Sequence, residues 1–132
     1  MPLEFLNVPG APPPPPTAAY SHAVRSGDWL FVTGQLGVDP KTGKLVPGGT
    51  VAQCRRIMQN LAIVLGGAGA TLEQAVMARI YLTDFRDYEA VNAEYARHFP
   101  PGRLPARTTV GVTALAVGGA VEIDLIVRLA LT

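Results

Sequence analysis

The stretch VEIDLIVRLAL, at Val121–Leu131, decides the fold class of this chain. Its odd-numbered positions up to Leu129 are all apolar, while Glu122, Asp124 and Arg128 occupy even-numbered positions. Side chains along a strand point alternately to the two faces of a sheet, so this period of two predicts a β-strand. A pair of glycines, Gly118 and Gly119, precedes the stretch by one residue and marks where the strand begins.

Further elements are predicted on both sides of a helical segment in the middle of the chain. Apolar residues at spacings of three and four predict one helix beginning at Thr50, where Gln53 would complete a capping box, and ending at Gly66. Similar spacing predicts a second helix between Asp84, its expected cap, and Pro100. The predicted strands are Glu4–Asn7, Ser21–Arg25, Trp29–Gly34, Ala75–Thr83, Ala106–Thr113 and Val121–Leu131.

The order β-β-β-α-β-α-β-β predicts an α+β fold, a single mixed sheet with two helices on one face. The run Trp29–Thr33 is apolar almost throughout, which indicates a strand covered on both faces. We therefore expect a symmetric oligomer to cover the face without helices. We also expect the last two strands to be hairpin neighbours, which would put Arg107 and Glu122 on adjacent strands.

Composition limits the classes of protein to consider. The chain has 132 residues with a net charge of +1, and 48% are hydrophobic while 16% are charged. This favours one folded domain over disorder and argues against attraction to nucleic acid or anionic membranes. Neither a signal peptide nor an apolar segment long enough for a membrane helix is visible, so we predict a cytoplasmic protein. Cys54 is the only cysteine, which excludes an intramolecular disulfide or a cysteine-based metal cluster.

The segment PGAPPPPPT, residues 9–17, holds six of the twelve prolines. Proline lacks an N–H and fixes φ, so this segment is neither a helix nor a central strand. We interpret it as a stiff surface connector, and the alternative is a ligand for a proline-binding domain. Residues 1–19 are taken as the N-terminal strand and proline-rich part of the same domain whose main body is 20–132.

Three charged residues could carry chemistry. Arg107 begins a predicted strand, where a guanidinium could hold a carboxylate through two parallel hydrogen bonds. The alternative is an edge-strand arginine paired with an acidic neighbour. Glu122 and Asp124 are two residues apart on one face of the last strand. Either both side chains lie on a solvated sheet face, or one of these carboxylates accepts and donates protons beside the ligand of Arg107.

The remaining reactive side chains fit structural roles better. His22 and His98 have no Asp or Cys partner at a useful spacing, so both are interpreted as structural. Cys54 lies on the apolar stripe of the first helix and is interpreted as a core residue rather than a nucleophile. Tyr20 either lies over a pocket or packs the connector down. Local motifs of serine hydrolases, zinc proteases and nucleotide-binding loops are absent from the sequence.

Taken in order, six segments resemble the RidA/YjgF family of reactive-intermediate imine deaminases, also named endoribonuclease L-PSP proteins. The similarity runs from about Tyr20 to Arg128, most of the chain. The segments that carry it are Tyr20–Ala23, Leu30–Leu36, Asp39–Gly43, Val91–Tyr95, Pro105–Thr108 and Val121–Asp124.

The resemblance implies a fold like that of the small trimeric chorismate mutases, with the sheets inside, the helices outside and three active sites in clefts between subunits. It implies a hydrolytic deaminase that converts short 2-imino acids or enamines into 2-keto acids and ammonia without a metal or organic cofactor. The expected partners are a small carboxylate substrate and two further copies of the chain, with neither membrane nor nucleic acid.

The same resemblance assigns roles to individual residues. Arg107 would grip the substrate carboxylate and Glu122 would position or activate the attacking water. The expected pocket and binding residues are Tyr20, which would line the cleft, Thr33 and Gly34, whose backbone groups would face the imine nitrogen, Asn92, which would brace the site, and Thr109.

Three departures from the family pattern bear on substrate preference. Thr109 stands where many members have Cys, Ala116 where many have Pro, and Asp124 where many have Glu. Three other functions stay open: an endoribonuclease or RNA-binding translation inhibitor, a non-catalytic binder of 2-keto acids, and a deaminase of larger enamines such as 2-aminomuconate. The net charge of +1, without a dense cluster of Lys and Arg, argues against the first.

Overall fold

The alternating stretch that ends the sequence forms β6 (Val121–Arg128) in the computed structural model, which describes residues 2–129. The predicted continuation of this strand through 130 and 131 lies outside the described residues. The predicted order of strands and helices is confirmed. The other elements are β1 (Glu4–Leu6), β2 (Ala23–Ser26), β3 (Trp29–Leu36), α1 (Thr50–Gly67), β4 (Ala75–Leu82), α2 (Tyr88–Ala96) and β5 (Ala106–Gly111), with short 3₁₀ turns at Leu72–Gln74, Phe85–Asp87 and Ala116–Gly118.

The six strands form one mixed sheet in the order β1-β2-β3-β6-β4-β5. β6 lies near its middle, antiparallel to both β3 and β4, and β5 is parallel to β4 at the edge. The prediction that β5 and β6 are hairpin neighbours is therefore wrong, and so is the placement of Arg107 and Glu122 on adjacent strands. The reason is that α2 carries the chain from β4 to a parallel neighbour, as a β-α-β crossover does, and β4 then separates β5 from β6.

Both helices pack on one face of this sheet, as predicted. Burial alternates along β6, so that Val121, Ile123, Leu125 and Val127 lie beneath the helices. Each fully buried leucine or isoleucine of this core contributes about 1.5–3 kcal/mol relative to an exposed side chain. The buried stripe of α1 confirms the predicted helical period and consists of Cys54, Ile57, Met58, Leu61, Val64 and Leu65.

The predicted capping box at the start of α1 is wrong. Gly49 occupies the cap position, and Thr50 is already the first helical residue. The Thr50 hydroxyl donates to Asp87 Oδ2 at 2.8 Å, and the buried Gln53 accepts from the backbone N–H of Ala120 at 2.9 Å through Oε1. Both side chains therefore form tertiary hydrogen bonds, which hold α1 against the turn before α2 and against the residue that precedes β6.

The other face of the sheet has no helix on it. Phe31 is 47% exposed there and Phe5 66%. Cross-strand pairing aligns these two side chains with Val24, Ile126 and Met77 in one row across the sheet. An exposed apolar surface of this kind is typical of interaction sites. Its coverage by further copies of the chain stays a prediction.

No helix within residues 2–129 combines the length and the hydropathy that a membrane span requires.

Candidate functional site

The Arg107 side chain is held by two neutral side chains of α2. Its Nη1 donates to Asn92 Oδ1 at 2.8 Å, and its Nη2 donates to the Tyr88 hydroxyl at 2.9 Å. The guanidinium carbon also lies 5.7 Å from the Tyr88 ring centroid and 5.2 Å from that of Tyr95, within the range of cation–π attraction. These four contacts fix the orientation of the guanidinium.

None of these contacts neutralises the charge of Arg107. Within the described residues, no carboxylate forms an ion pair with it. An arginine has five N–H donors, and the two neutral partners leave most of them available. A planar carboxylate is the ligand that such a fork binds best, through two charge-assisted hydrogen bonds. The alternative of an edge arginine paired with an acidic neighbour does not hold for this structure.

Two buried hydroxyls accompany this guanidinium. Thr109 follows two residues later on the same face of β5, and its Oγ1 is buried without a hydrogen-bond partner in the part of the chain that the structure describes. The Tyr95 hydroxyl is likewise buried without a partner among these residues, and burial raises the pKa of Tyr95 to about 12. Unpaired buried hydroxyls are uncommon in proteins, and here they provide hydrogen-bonding capacity beside the cation. Arg107, Tyr88, Asn92, Tyr95 and Thr109 are called the arginine group below.

Glu122 lies in a second group of predicted residues, on β6 and β3. Its carboxylate packs directly on the Cα of Gly34, where a Cβ would lie only 2.9 Å from Glu122 Cδ and closer still to Oε2. Burial, followed by the charge of Asp124, raises the pKa of Glu122. No hydrogen bond or ion pair within residues 2–129 engages this carboxylate. A partly buried carboxylate with a raised pKa is suited to accept and return a proton.

A bulge in β3 brings Gly34 to this position. The register shifts between Val32 and Gln35, so that Thr33 and Gly34 together oppose a single residue of β6. The Thr33 hydroxyl donates to the carbonyl of Ser21 at 2.6 Å, and its backbone N–H donates to the carbonyl of His22 at 3.0 Å. The Thr33 N–H is therefore already used within the chain, which leaves only its carbonyl for the predicted contact with an imine nitrogen.

Tyr20 lies at the same end of the sheet. It is 47% exposed, and partial burial together with the charge of Glu122 raises its pKa. Tyr20 and Gly34 line a cleft of about 550 Å³, together with the consecutive prolines Pro12–Pro16. Of the two readings of Tyr20, the structure favours an aromatic ring at the wall of a pocket. Glu122, Gly34, Thr33 and Tyr20 are called the glutamate group below.

Asp124 shares the outer face of β6 with Glu122, as the period of two predicted, but it is fully engaged. Arg79, directly opposite on β4, donates to Asp124 Oδ1 at 2.8 Å, and the Tyr81 hydroxyl donates to Oδ2 at 2.9 Å. Of the two candidate carboxylates, only Glu122 is left for chemistry.

The arginine group and the glutamate group do not meet within one chain. Arg107 pairs with the buried Ala78 and therefore faces the helices, whereas Glu122 pairs with Tyr81 on the outer face. The strand β4 lies between them, which separates them by two strand spacings, about 10 Å, in addition to the thickness of the sheet. Arg107 does not line the cleft beside Tyr20. A site that uses both groups requires two copies of the chain.

The side chains interpreted as structural are structural. His22 is buried and its ring nitrogens contact the backbone of Val8 and Pro12, at 2.8 Å each. His98 lies just after α2 and contacts the buried Glu94 at 2.9 Å. Cys54 is fully buried, and burial raises its pKa to about 12. Among residues 2–129 no three His, Cys, Asp or Glu side chains converge in a way that could hold a metal ion.

Sequence reasoning missed two members of the arginine group and one buried acid. Tyr88 and Tyr95 contribute to the spacing that predicts the second helix, and Tyr88, Asn92 and Tyr95, four and three residues apart, share one helix face. That spacing is the signal that could have found them. Glu94 is buried and binds Arg55 of α1 at 2.9 Å, and nothing in its local sequence distinguishes it from an exposed glutamate.

Comparison with known proteins gives one consistent family. The family model described as endoribonuclease L-PSP matches residues 11–129. A protein of Myxococcus xanthus named protein DfrA is 45% identical over 109 residues, which are 81% of this chain and 82% of that protein. The 2-iminobutanoate/2-iminopropanoate deaminase of Capra hircus is 40% identical over 107 residues, 81% of this chain and 77% of the goat protein.

Among solved structures, a conserved Rid family protein from Yersinia pestis, described as being of unknown function, superimposes with a TM-score of 0.90 at 33% identity. The match covers 96% of this chain and 99% of the Yersinia chain. The similarity thus includes the whole sheet and both helices, and the predicted fold class is confirmed.

Proposed function

Because the chain belongs to the endoribonuclease L-PSP family, we propose that it shares the activity in the names of its deaminase relatives and hydrolyses short 2-imino acids, or the enamines that tautomerise to them, to 2-keto acids and ammonia. The observation that carries the proposal is the arginine group. It holds a guanidinium in a fixed orientation and leaves it without a counter-ion, as a receptor for a small carboxylate would require.

The active site is formed between two protomers of a homotrimer, with the arginine group of one protomer facing the glutamate group of the next. Two observations support this arrangement. The two groups lie on opposite faces of one sheet, and the outer face carries exposed apolar side chains such as Phe31. A cyclic assembly repeats one such interface around its axis and buries the outer face at the same time.

Binding begins with the substrate carboxylate on the guanidinium of Arg107. The contacts to Tyr88 and Asn92 hold the fork ready, so little side-chain entropy is lost when the anion arrives. The Thr109 hydroxyl supplies a further donor within the same group. This attachment fixes C2 of the substrate, the reacting carbon, at one distance from the neighbouring glutamate group.

The chemical step is addition of water to C2 of a protonated imine. Glu122 accepts a proton from water as the water oxygen forms a bond to C2 and the electrons of the C=N bond move to nitrogen. Glu122 then returns that proton to the nitrogen, the C–N bond breaks, and ammonia leaves as the oxygen passes its own proton to Glu122 and becomes the keto oxygen. The ammonia takes up this proton and departs as ammonium, which leaves Glu122 ionised for the next cycle. One water enters and one ammonia leaves, with no change in oxidation state, so the reaction requires no cofactor. A positioned acid–base group of this kind contributes about 10²–10⁴-fold.

The test generates the imine in place with an amino-acid oxidase or a serine/threonine dehydratase and follows the appearance of ammonia and 2-keto acid against a blank. The wild-type protein should shorten the delay before ammonia and 2-keto acid appear, whereas with Arg107→Ala or Glu122→Gln the delay should equal that of the blank. Arg107→Lys should stay poor, because a point charge does not reproduce the two parallel hydrogen bonds. Arg86→Ala is the matched control, since Arg86 is an exposed arginine that pairs with Asp84. Full activity of Arg107→Ala would contradict the proposal.

Mixing the two inactive variants tests the shared site. After co-refolding of Arg107→Ala with Glu122→Gln in equal amounts, about one interface in four joins an intact Arg107 to an intact Glu122, so about a quarter of the activity should return. If both residues act within one chain, every site carries one defect and no activity returns.

A further inference from the structure

The five consecutive prolines Pro12–Pro16, called the proline strap, are fixed to the body of the protein by His22. The His22 ring accepts a hydrogen bond from the backbone N–H of Val8 through Nδ1 at 2.8 Å, so its proton lies on Nε2, which donates to the carbonyl of Pro12 at 2.8 Å. At its other end the strap closes in a turn, where the Ala18 N–H donates to the carbonyl of Pro15 at 2.9 Å. The strap is thereby attached to the sheet at its first proline and ends in a local turn.

The strap forms one wall of the cleft whose other walls include Tyr20 and Gly34. Proline rings are apolar, and five prolines in succession present no N–H donor, so this wall cannot bind a polar side chain through backbone donors. Leu36 and Val117 line the cleft as well. Its volume of about 550 Å³ lies within the roughly 300–1,000 Å³ that is typical of ligand sites and exceeds what a four-carbon acid fills.

Val117 reaches this cleft in a strained conformation. Its φ is 52°, the one positive value among the non-glycine residues that the structure describes, and its side chain is 59% exposed. A β-branched residue in this region is a genuine outlier, and such strain persists where the surroundings or the function require it. Burial does not explain the choice of valine at this position, whereas contact with an apolar ligand in the cleft would.

We infer that the proline strap, positioned by His22, and Val117 form an apolar specificity wall that receives the substrate side chain, and that the preferred substrates are 2-imino acids with a branched or long apolar side chain. This inference rests on the proposed function, because it places the reacting end of the same molecule at the glutamate group. Glu122 packs against Gly34, which is itself a lining residue of the cleft, so only one residue separates the cleft from the reacting carboxylate.

The expected discrimination follows from the size of the side chain. Each methylene group in an apolar pocket changes kcat/KM by about 10-fold or more, and the side chains of leucine and methionine have three more heavy atoms than that of alanine, so their imines should exceed that of alanine by about 10³-fold. The experiment supplies the imines of alanine, leucine, methionine, phenylalanine and glutamate from their amino acids with an oxidase and measures kcat/KM for each. Absence of turnover with every imine would refute the proposed function itself. Turnover with equal kcat/KM for the imines of alanine and leucine would overturn only the inference.

Preference for the imine of glutamate would also overturn it, because the ammonium of Lys41, another residue of the cleft, would then determine specificity.

Variants of the wall provide the second measurement. Val117→Asn keeps a side chain of similar size, makes it polar and suits the left-handed conformation, so the variant should fold at least as well as wild type. KM for the imine of leucine should rise about 10-fold with kcat nearly unchanged, while both constants for the imine of alanine stay as they are. An unchanged KM for the imine of leucine would overturn the inference.

His22→Ala should have the same selective effect on KM, because it releases the strap without touching the reacting groups. Pro9→Ala is the matched control, since Pro9 belongs to the same proline-rich segment but does not line the cleft. If His22→Ala keeps a normal melting temperature but lowers kcat/KM equally for every imine, the role of His22 as a positioning residue of the wall is refuted.

Discussion

Replacement of Gly34 by alanine should separate catalysis from folding in this protein. Gly34 is not among the glycines with positive φ, so its backbone accepts an alanine. All three atoms nearest to the new methyl group belong to the Glu122 side chain, with Cδ at 2.9 Å and Cγ at 3.1 Å. The end of this flexible side chain, rather than any backbone, must therefore move.

The two consequences differ in size. Turning Glu122 off its preferred rotamer costs about 0.5–1.5 kcal/mol. The restriction that alanine places on the unfolded chain offsets about 0.4–1 kcal/mol of this. The melting temperature should therefore change by no more than about 4 °C. A displacement of the carboxylate by about 1 Å, in contrast, lowers kcat/KM about 10²-fold, because proton transfer depends on its position.

The measurements are thermal unfolding by circular dichroism and kcat/KM with an imine made in place. A folded Gly34→Ala variant with wild-type kcat/KM would refute the reasoning that the position of Glu122 limits the rate. Two controls bracket the result. At Gly66 in α1 an added methyl group meets no atom within 4 Å, so Gly66→Ala should raise the free energy of unfolding by about 0.5–1 kcal/mol and leave activity unchanged. At Gly37 a Cβ would lie 2.6 Å from the Cα of Gln53, so Gly37→Ala should lose stability instead.

Three further predictions concern charge and burial. Burial raises the pKa of Glu122, so the folded state binds this proton more readily than the unfolded state. The free energy of unfolding therefore falls as pH rises from the unfolded-state pKa through the folded-state pKa of this carboxyl. Glu122→Gln should melt at a higher temperature than wild type near pH 7, and the difference should disappear in acid. For Glu94, burial is outweighed by hydrogen bonds from His98 and Arg55, which lower its pKa. The ionised Glu94 therefore stabilises the fold above its unfolded-state pKa, and this stabilisation is lost as pH falls through its folded-state pKa. Glu94→Gln should lower the free energy of unfolding by about 1–3 kcal/mol near neutral pH and by less in acid, as thermal melts at several pH values would measure. Burial raises the pKa of Cys54 to about 12, so a thiol reagent should label it only at the rate of unfolding, and immediate labelling of the folded protein would contradict its position in the core.

The period of apolar residues predicted the helices and strands of this fold, because an element with one buried face requires apolar side chains at its own structural period. The apolar stripe of α1 and the alternation in β6 each have one buried face, and the sequence pattern of both matches the structure. Strand adjacency does not follow from such patterns. β5 and β6 are consecutive strands, yet β4 lies between them, because the crossover through α2 determines where β5 pairs.

Polar side chains were harder to predict where tertiary partners compete with local ones. Thr50 and Gln53 have the spacing of a capping box, but Asp87 and Ala120 provide partners that the local sequence does not reveal. Residue type singled out Arg107, and helical spacing could have added Tyr88. The contact between Glu122 and Gly34 depends on a bulge in β3, for which the sequence offers only the glycine itself.

The chain treats its charged groups in two different ways. Asp124 and Glu94 are each bound by arginines and further donors of the same chain, and these pairs fasten neighbouring elements. Arg107 and Glu122, of opposite sign, have no charged partner among the described residues and lie on opposite faces of the sheet. Partly buried charges without partners lower stability, and folding alone does not explain why they persist. A carboxylate ligand would neutralise Arg107, and a water or ammonium group would bond to Glu122, so the two uncompensated charges fit the two ends of one small zwitterionic substrate held between neighbouring copies of the chain.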